Sequence, residues 1–329
     1  RFIAESDSVP AGTTIFIQSG SNRLLFPYTV TTTIPKGDTI YVPDPLAGRF
    51  FLYAKQGAAT RGIFMSKNFL KFDKLMDYYL IFKDAVNNDE VTAITVSADL
   101  NTLWAGTKGG RLIRVTGLLQ AYDSATANIT SSQCVLTDTI YSATPFTGRT
   151  VTSISIHPKN SSLVLVTLGN YGNQDYVYFS QNGNADDASF ASIQGNLPKV
   201  PVFTGLLEMT TTGNVILGTD LGVFTTTSVN GTSTQWAADM NNVGNVPVTD
   251  IRQQTMKDYH IANYGVIYMA SFGRGLWMDE TYAAPVGIEP VPAPVAQAGE
   301  IRISPNPVHD RMNLGFTSEK GGKIEVAIY

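Results

Sequence analysis

The chain has 329 residues, of which 43% are hydrophobic and 10% aromatic. This composition predicts a packed core, and the length accommodates one large domain plus a small second module. Charged residues make up only 15%, the net charge is −4, and no run of lysines or arginines occurs. Nucleic-acid binding needs a basic stripe, so we predict no nucleic-acid partner. No stretch approaches the ~20 apolar residues of a membrane span, and we predict none.

Residues 1–49 form an N-terminal β segment in this interpretation. Alternating residues predict strands at Thr14–Ile17 and Thr39–Val42, with prolines between them. The segment is either an insertion or a small accessory β module. The sequence begins at Arg1 without methionine or a signal-peptide pattern and stops at Tyr329 inside a predicted strand, so we expect both ends to be cut ends.

A repeated pattern of strands occupies residues 50–279. Each copy begins with an alternating strand such as Val151–Ile156, where apolar residues fall mostly on one face and hydroxyls on the other. A second apolar strand ends at Thr or Ser, and a third strand leaves the following Gly-containing turn. That hydroxyl residue recurs at intervals of 60, 52 and 52 positions, as Thr107, Thr167, Thr219 and Ser271.

This period matches the four-stranded blades of a β-propeller. A looser copy runs from Phe50 to Phe82, so we predict an all-β propeller with about five visible blades. The last copy ends near Asp279 after about three strands, whereas a propeller ring closes with a strand from its other end. We therefore expect the propeller to be incomplete at its N-terminal side.

Two further segments follow the repeats. Residues 280–298 contain four prolines between Ala283 and Val295, which predicts a semi-extended linker; a loop inside the domain is the alternative. Residues 299–329 then predict the truncated start of a small C-terminal β-sandwich, in which Pro305, Asn306 and Pro307 make a rigid turn between two strands.

The sequence contains only weak patterns for metal, cofactor or phosphate binding. The three histidines (His157, His260 and His309) lack metal-ligand spacing, and the single cysteine excludes an internal disulfide, so we predict no metal site and no cofactor. The loop Asn182–Asp187 offers oxygen atoms of the kind Ca²⁺ prefers, but a solvated turn explains it better. The glycine clusters Gly106–Arg111 and Ser271–Gly275 are interpreted as blade turns and not as phosphate loops.

Acidic residues near strand ends leave an enzymatic alternative open. Glycosidases need two carboxylates on either side of the sugar, and the weak catalytic candidates are Asp250, Asp220 and Glu208. Their spacing does not tell whether any two of them converge. Tryptophans at 104, 236 and 277 are interpreted as packing residues of the blades, in preference to sugar-stacking platforms.

The blade pattern resembles that of the BNR/Asp-box propellers, which include sialidase-like, sortilin-type and xyloglucanase-type domains. Ile267–Trp277, after Val248–Ile251, looks like a closing blade of that group. Ser228–Trp236 is similar to the box Ser-x-Asp-x-Gly-x-Thr-x-Trp, with Asn230 in place of the acid; Ser180–Asn184, followed by Phe190, is a more degenerate copy. Such boxes are structural, so the resemblance over residues 50–279 implies a fold and not an activity.

Ile301–Phe316 resembles the start of the Por-type C-terminal sorting domain of Bacteroidota, through its strand, Pro-Asn-Pro turn and second strand. The resemblance implies export through the type IX secretion outer-membrane translocon to the cell surface or the medium, with a tail that is commonly removed. The Bacteroidota O-glycosylation pattern, Asp followed by Ser/Thr and an apolar residue, is matched at Ser8, Thr39, Ser124 and Thr139.

From these observations we expect an extracellular or outer-surface protein acting as a non-enzymatic binding or assembly module. Its partner would be a polysaccharide, a surface protein or another copy of itself. The alternative is a secreted glycoside hydrolase of the BNR-propeller type acting on polysaccharide. Two carboxylates about 5–10 Å apart in an aromatic-lined groove would favour that enzyme.

Overall fold

The computed structural model describes residues 2–18, 25–42, 50–54, 61–66, 79–83, 89–118, 137–141, 144–239, 243–255, 263–283, 301–304 and 313–316. The chain divides into two compact units, Arg1–Ala283 and Ala284–Tyr329. Within the described ranges the regular structure is β, apart from a single 3-10 turn at Gly231–Ser233. The segment 1–49 belongs to the first unit, and residues 284–298 of the predicted linker lie outside the described ranges.

The described residues of the first unit form twenty-two strands. They are β1 (Phe2–Ile3), β2 (Thr14–Gln18), β3 (Leu25–Thr29), β4 (Thr39–Ile40), β5 (Phe50–Ala54), β6 (Gly62–Ser66), β7 (Tyr79–Lys83), β8 (Val91–Val96), β9 (Thr102–Thr107), β10 (Leu112–Thr116), β11 (Thr137–Tyr141), β12 (Val151–His157), β13 (Asn160–Leu168), β14 (Val177–Ser180), β15 (Ala191–Ser192), β16 (Val202–Leu207), β17 (Val215–Thr219), β18 (Gly222–Thr226), β19 (Ala237–Ala238), β20 (Val248–Gln253), β21 (Ile267–Ser271) and β22 (Gly275–Asp279). The second unit has β23 (Ile301–Ser304) and β24 (Asn313–Phe316), which pair antiparallel.

Five successive antiparallel sheets form the blades, and the predicted all-β propeller with about five blades is confirmed. Blade A is β5–β7, blade B β8–β11, blade C β12–β15, blade D β16–β19 and blade E β20–β22. The first strand of each of blades B to D packs against the first strand of the next blade, so β8, β12, β16 and β20 lie side by side as inner strands. In the described residues these sheets do not close into a ring.

A bulge at the second residue of each inner strand helps to join neighbouring blades. In β8 the pairing shifts between Val91 and Ala93, which leaves Thr92 at the bulge. Its hydroxyl donates to the carbonyl of Val151 in the next blade at 2.5 Å. The equivalent Thr152 hydroxyl donates to the Val202 carbonyl at 2.6 Å. Bulged residues are re-aimed relative to the regular pleat, and here this directs a hydroxyl to the neighbouring blade.

The predicted hydroxyl face of β12 satisfies backbone groups of the next inner strand. The side-chain oxygens of Ser153 and Ser155 accept hydrogen bonds from the amides of Gly205 and Leu207, at 3.2 and 3.1 Å. Inner strands have one edge without a ladder partner, so side-chain acceptors replace a missing strand there. The polar alternation in this strand therefore has a packing role.

Glycines allow the blades to approach closely. Gly106 in β9 and Gly218 in β17 each precede the hydroxyl residue that ends the second strand. A Cβ at Gly106 would lie 2.3 Å from Cγ1 of Val151, and one at Gly218 would lie 2.7 Å from Cγ1 of Val248. The first residue of each following blade thus occupies the space that a side chain would need.

Aromatic residues wedge between consecutive blades at equivalent places. Phe190 directly precedes the outer strand β15, and Trp236 directly precedes β19. The Phe190 ring meets Trp104 of blade B edge-on, with 5.9 Å between ring centroids. The Trp236 indole donates to the carbonyl of Ile193, just after blade C, at 2.9 Å. The side chain of Asn230, expected to replace the acid of an Asp box, makes no capping hydrogen bond; the Thr234 hydroxyl accepts from the Asn230 amide instead.

The N-terminal strands pack against the first blades. β1 pairs with β4, and β2 with β3. Ile17 and Val30 share a buried apolar cluster with Ile63 of blade A and Leu103 of blade B. In the structure, segment 1–49 therefore contributes to the core of the first unit.

Candidate functional site

The turns between the second and third strands lie at the same end of blades B to E. In each blade an amide just after the second strand donates to the carbonyl that precedes the inner strand. This end, where the inner strands begin, is called the turn end. The pairs are Lys108 N to Glu90 O at 2.8 Å, Gly169 N to Thr150 O at 3.1 Å, Asp220 N to Pro201 O at 3.0 Å and Phe272 N to Pro247 O at 2.8 Å.

Large apolar side chains are exposed on three successive turns at this end. Tyr171 of blade C is 65% exposed, Leu221 of blade D 39% and Phe272 of blade E 73%. The Tyr171 hydroxyl donates to the carboxylate of Asp220, which connects the turns of blades C and D. Together Tyr171, Asp220, Leu221 and Phe272 are called the turn surface. Exposed apolar groups on neighbouring loops of a rigid scaffold are typical of a binding surface.

The sequence analysis singled out Asp220 but missed the three apolar residues around it. A signal was present, because each directly precedes a glycine in its turn, as Tyr171-Gly172, Leu221-Gly222 and Phe272-Gly273. These glycines adopt positive φ, so the preceding side chain stands at the tip of the hairpin. The hydrogen bond to Asp220 raises the pKa of Tyr171, which therefore stays protonated as a donor at neutral pH.

Among the three candidate catalytic carboxylates, two lie at opposite ends of one strand and the third pairs with an arginine. Asp220 follows β17 and lies beside Pro201, at the turn end where β16 begins. Glu208 directly follows β16 and so lies at its opposite end. A strand of this length separates its two ends by about 20 Å. Asp250 lies on β20 and pairs with Arg252 at 3.0 Å, with both side chains partly exposed. The structure therefore brings Asp220 and Glu208 to opposite ends of blade D.

Glu208 is fully buried and has a structural environment. Its carboxylate accepts from the Thr210 amide at 2.9 Å and from the Gln253 side-chain amide at 3.0 Å. The Thr210 hydroxyl donates to the same carboxylate. These donors come from its own turn and from the next inner strand, so Glu208 closes a turn and joins blades D and E.

His157 lies at the equivalent end of β12 and is 3% exposed. Its Nδ1 accepts from the Lys159 amide at 3.2 Å, and its Nε2 lies 3.3 Å from the Thr211 carbonyl. Burial lowers the pKa of His157 despite opposing contributions from Thr211 and Glu208. The position of His157 before Pro158 predicts a surface turn residue, and this prediction is wrong, because the structure buries the side chain between blades C and D.

We expect this histidine to make the folded state less stable in mild acid. Because its pKa is lowered on folding, the unfolded chain binds the proton more tightly, so stability is complete above about pH 6.5 and falls as the pH drops below that value. Thermal unfolding measured at pH 8 and pH 5 should show a larger loss of Tm for the wild type than for His157→Gln. Equal losses in both proteins would contradict this assignment.

The loop Asn182–Asp187, considered above for Ca²⁺, holds a guanidinium group. Arg114 of blade B is 3% exposed, and its Nη1 donates to the carbonyls of Gly183 and Ala185 at 2.7 and 2.6 Å. Its Nη2 donates to Asp186 at 2.6 Å. The oxygen atoms of this loop therefore bind the positively charged side chain of Arg114, which belongs to the neighbouring blade B.

The glycine cluster of blade B is a turn closed by a carboxylate. Asp89 accepts from the amide of Gly109 at 2.6 Å, the hydroxyl of Thr107 at 2.8 Å and Nε of Arg111 at 2.5 Å. Burial raises the pKa of Asp89, but these hydrogen bonds outweigh it and leave the pKa below its usual value. A carboxylate at the turn disfavours a phosphate there, consistent with the interpretation as a blade turn.

The remaining predicted sites are distributed over the chain. Ser8 and Thr39 are exposed, Thr139 is half-buried in β11, and Ser124 lies outside the described residues, as do Pro305, Asn306 and Pro307. Over the described residues, no group of three or more His, Cys, Asp or Glu side chains is arranged to hold a metal ion. No helix in the described part of the chain is long and apolar enough to cross a membrane.

Antiparallel blades whose inner strands lie side by side define a β-propeller protein. No protein family and no curated protein matches the sequence. Among solved structures, the GH74 enzyme of Niastella koreensis is similar at 14% identity and a TM-score of 0.44, over 86% of this chain and 42% of that chain. The β-propeller domain of Cps50 (Swd1) from Myceliophteria thermophila is similar at 8% identity and a TM-score of 0.36, over 56% of this chain and 50% of that domain. Similarities at this level carry no argument about function.

Proposed function

We propose that this is a secreted or cell-surface β-propeller protein that binds a neutral polysaccharide through its turn surface without cleaving it. The observation that carries the proposal is the exposure of Tyr171, Leu221 and Phe272 on three successive blades at one end. Two exposed rings offer stacking faces for sugars, and the Asp220 carboxylate is an acceptor for sugar hydroxyls. A carboxylate at the centre of the surface disfavours an anionic polymer.

The proposed export to the cell surface is inferred from the C-terminal residues. Residues 299–329 would act as a type IX sorting domain, with Pro305, Asn306 and Pro307 as its turn, and the translocon of the outer membrane would be the export partner. Expression of the chain with and without residues 299–329 in a Bacteroidota host, followed by fractionation, tests this export. Equal surface delivery of both forms would overturn it.

We expect Phe272→Ala to weaken polysaccharide binding by at least tenfold, which corresponds to about 1.4 kcal/mol. Affinity electrophoresis in gels containing neutral glucans, xylans or mannans measures this effect. Phe16→Ala is the matched control, because Phe16 is an equally large aromatic residue, 64% exposed in the N-terminal segment. Retardation of the wild type and of Phe16→Ala, but not of Phe272→Ala, supports the proposal. Wild-type protein that no neutral polysaccharide retards would contradict it.

Glycoside hydrolysis is the second candidate, since Asp220 is a partly exposed carboxylate beside an aromatic ring on the turn surface. Release of reducing ends from the same polysaccharides, abolished by Asp220→Asn, would favour the enzyme over the binding module. Retained binding without any product would favour the binding module.

A further inference from the structure

A groove lies between blades C and D, at the end of the blades opposite the turn end. It is formed by the start of β13, the turn between β16 and β17, and the loops that follow the third strands β14 and β18. Its volume is about 490 Å³, and small-molecule sites typically measure about 300–1,000 Å³. All nine residues that line it belong to the described ranges. We call it the C–D groove.

The interface between blades C and D lacks the long side chain that bridges blades B and C. Arg114 of blade B reaches the loop that follows β14. The residue of blade C at the same ladder position is Ser180, because each lies opposite the residue three before the recurring hydroxyl residue, Thr107 or Thr167. The Ser180 hydroxyl donates to the side chain of Asn182 in its own loop at 3.1 Å. A serine at this position does not bridge the two blades, which leaves space for a ligand.

The lining of the C–D groove combines buried apolar groups with exposed polar groups. The apolar part consists of the buried Leu163 and Phe179 and the half-buried Val229. Amide and hydroxyl side chains surround it on both blades, and all of them are exposed: Gln181 on blade C and Thr212, Thr227 and Ser228 on blade D. Within the described part of the chain the side chains of these four residues make no hydrogen bond, so their donors and acceptors are available to a ligand.

Backbone contacts hold the walls of the C–D groove in place. In blade D, a Cβ at Gly213 would lie 2.6 Å from the carbonyl oxygen of Thr227, so the turn and the loop are in close contact. In blade C, the amide of Gly183 donates to the carbonyl of Ser162 at 2.8 Å, which ties the loop after β14 to β13. A site whose walls are fixed before binding loses little conformational entropy when a ligand enters.

We propose that the C–D groove binds a short neutral oligosaccharide. None of the nine described residues that line it is ionisable, so a charged ligand would be buried without a partner. A purely apolar ligand would cover the amide and hydroxyl groups without pairing them. A sugar has apolar C–H faces and hydroxyls along its edges, which match the apolar part and the polar groups around it. This site lies away from the turn surface and goes beyond the proposed function.

Ligand-observed NMR titrations with cellotriose, xylotriose and mannotriose test the C–D groove. They use the full chain with Phe272→Ala, so that the turn surface does not contribute. Added Thr212→Trp is expected to weaken binding of the bound triose more than tenfold, because the indole fills the groove. Thr211→Trp is the matched control, since Thr211 is exposed in the same turn but does not line the groove, and it should bind as before. Gln181→Ala is a milder second variant that should weaken binding severalfold.

Three outcomes would overturn the proposal. The first is that no triose binds to the Phe272→Ala protein, and this result would leave the turn surface untouched, because gel retardation of the wild type tests that surface separately. The second is equal binding by Thr212→Trp, Gln181→Ala and the control. The third is binding of the neutral peptide N-acetyl-trialanine amide in place of the sugars, which would assign the groove to a peptide. Circular dichroism of each variant checks that the fold is intact.

Discussion

Replacement of Gly218 by alanine is expected to destabilise the propeller by about 3 kcal/mol, the upper part of the range for overpacking a core. The added Cβ would lie 2.6 Å from Cγ2 of Thr204, 2.7 Å from Cγ1 of Val248 and 2.8 Å from the Val248 carbonyl oxygen. One of these atoms belongs to the backbone, so rotation of a side chain cannot relieve the contact. Blades D and E would have to move apart along their shared interface. Chemical denaturation followed by tryptophan fluorescence measures the change in the free energy of unfolding.

Gly172→Ala provides the control for this substitution. A Cβ at Gly172 meets no atom within 4 Å, but its φ of +86° disfavours alanine. The expected cost is therefore only the backbone term of about 1 kcal/mol. A double-mutant cycle with Val248→Ala should recover part of the cost of Gly218→Ala, because the two side chains compete for one space. A Gly218→Ala protein as stable as the wild type would show that the blades do not approach closely at this point.

Replacement of Arg114 by methionine is expected to cost about 3 kcal/mol, as removal of one partner from a buried charged network usually does. The methionine keeps most of the apolar stem but leaves the carbonyls of Gly183 and Ala185 without the guanidinium. The guanidinium carbon also lies 5.9 Å from the ring centroids of Trp104 and Tyr141, so a cation–π contribution is lost as well.

Asp186→Asn separates the contribution of the ion pair from that of the two carbonyls. The Asp186 side chain is 92% exposed, so its pairing with Arg114 is screened by water and the substitution should leave the free energy of unfolding nearly unchanged. Comparable losses for Arg114→Met and Asp186→Asn would mean that the exposed carboxylate, and not the buried carbonyls, holds the guanidinium. Both measurements use the same denaturation assay.

The blades were predictable because period-2 alternation and the recurring hydroxyl residue are local signals. Thr107, Thr219 and Ser271 end the second strand of their blades, and Thr167 lies one residue before the end of β13. The outer strands β11, β15 and β19 were not recognised from the sequence, since β15 and β19 have only two residues each and pairing with the third strand defines them. Short edge strands carry too little periodicity to stand out from a Thr- and Ala-rich chain.

The relations between blades were the part that the sequence did not reveal. Arg114 is the one cation in a strand of apolar and hydroxyl residues, and its ligands lie about seventy positions further along the chain. His157 looked like a surface residue because of the following Pro158, and its burial depends on the packing of blade D against blade C. The separation of Asp220 from Glu208 likewise required the direction of β16, which residue spacing alone did not give.

The backbone hydrogen bond between each turn and the start of its inner strand determines which side chains can be substituted there. In blades B to E the contact uses an amide and a carbonyl, and its donors are Lys108, Gly169, Asp220 and Phe272. Residues as different as lysine, glycine, aspartate and phenylalanine make the same bond, so the side chain at this position is free to change while the hairpin stays anchored. The turn end can therefore acquire a new specificity by exchanging a few tip residues, with the blades beneath it preserved as they are.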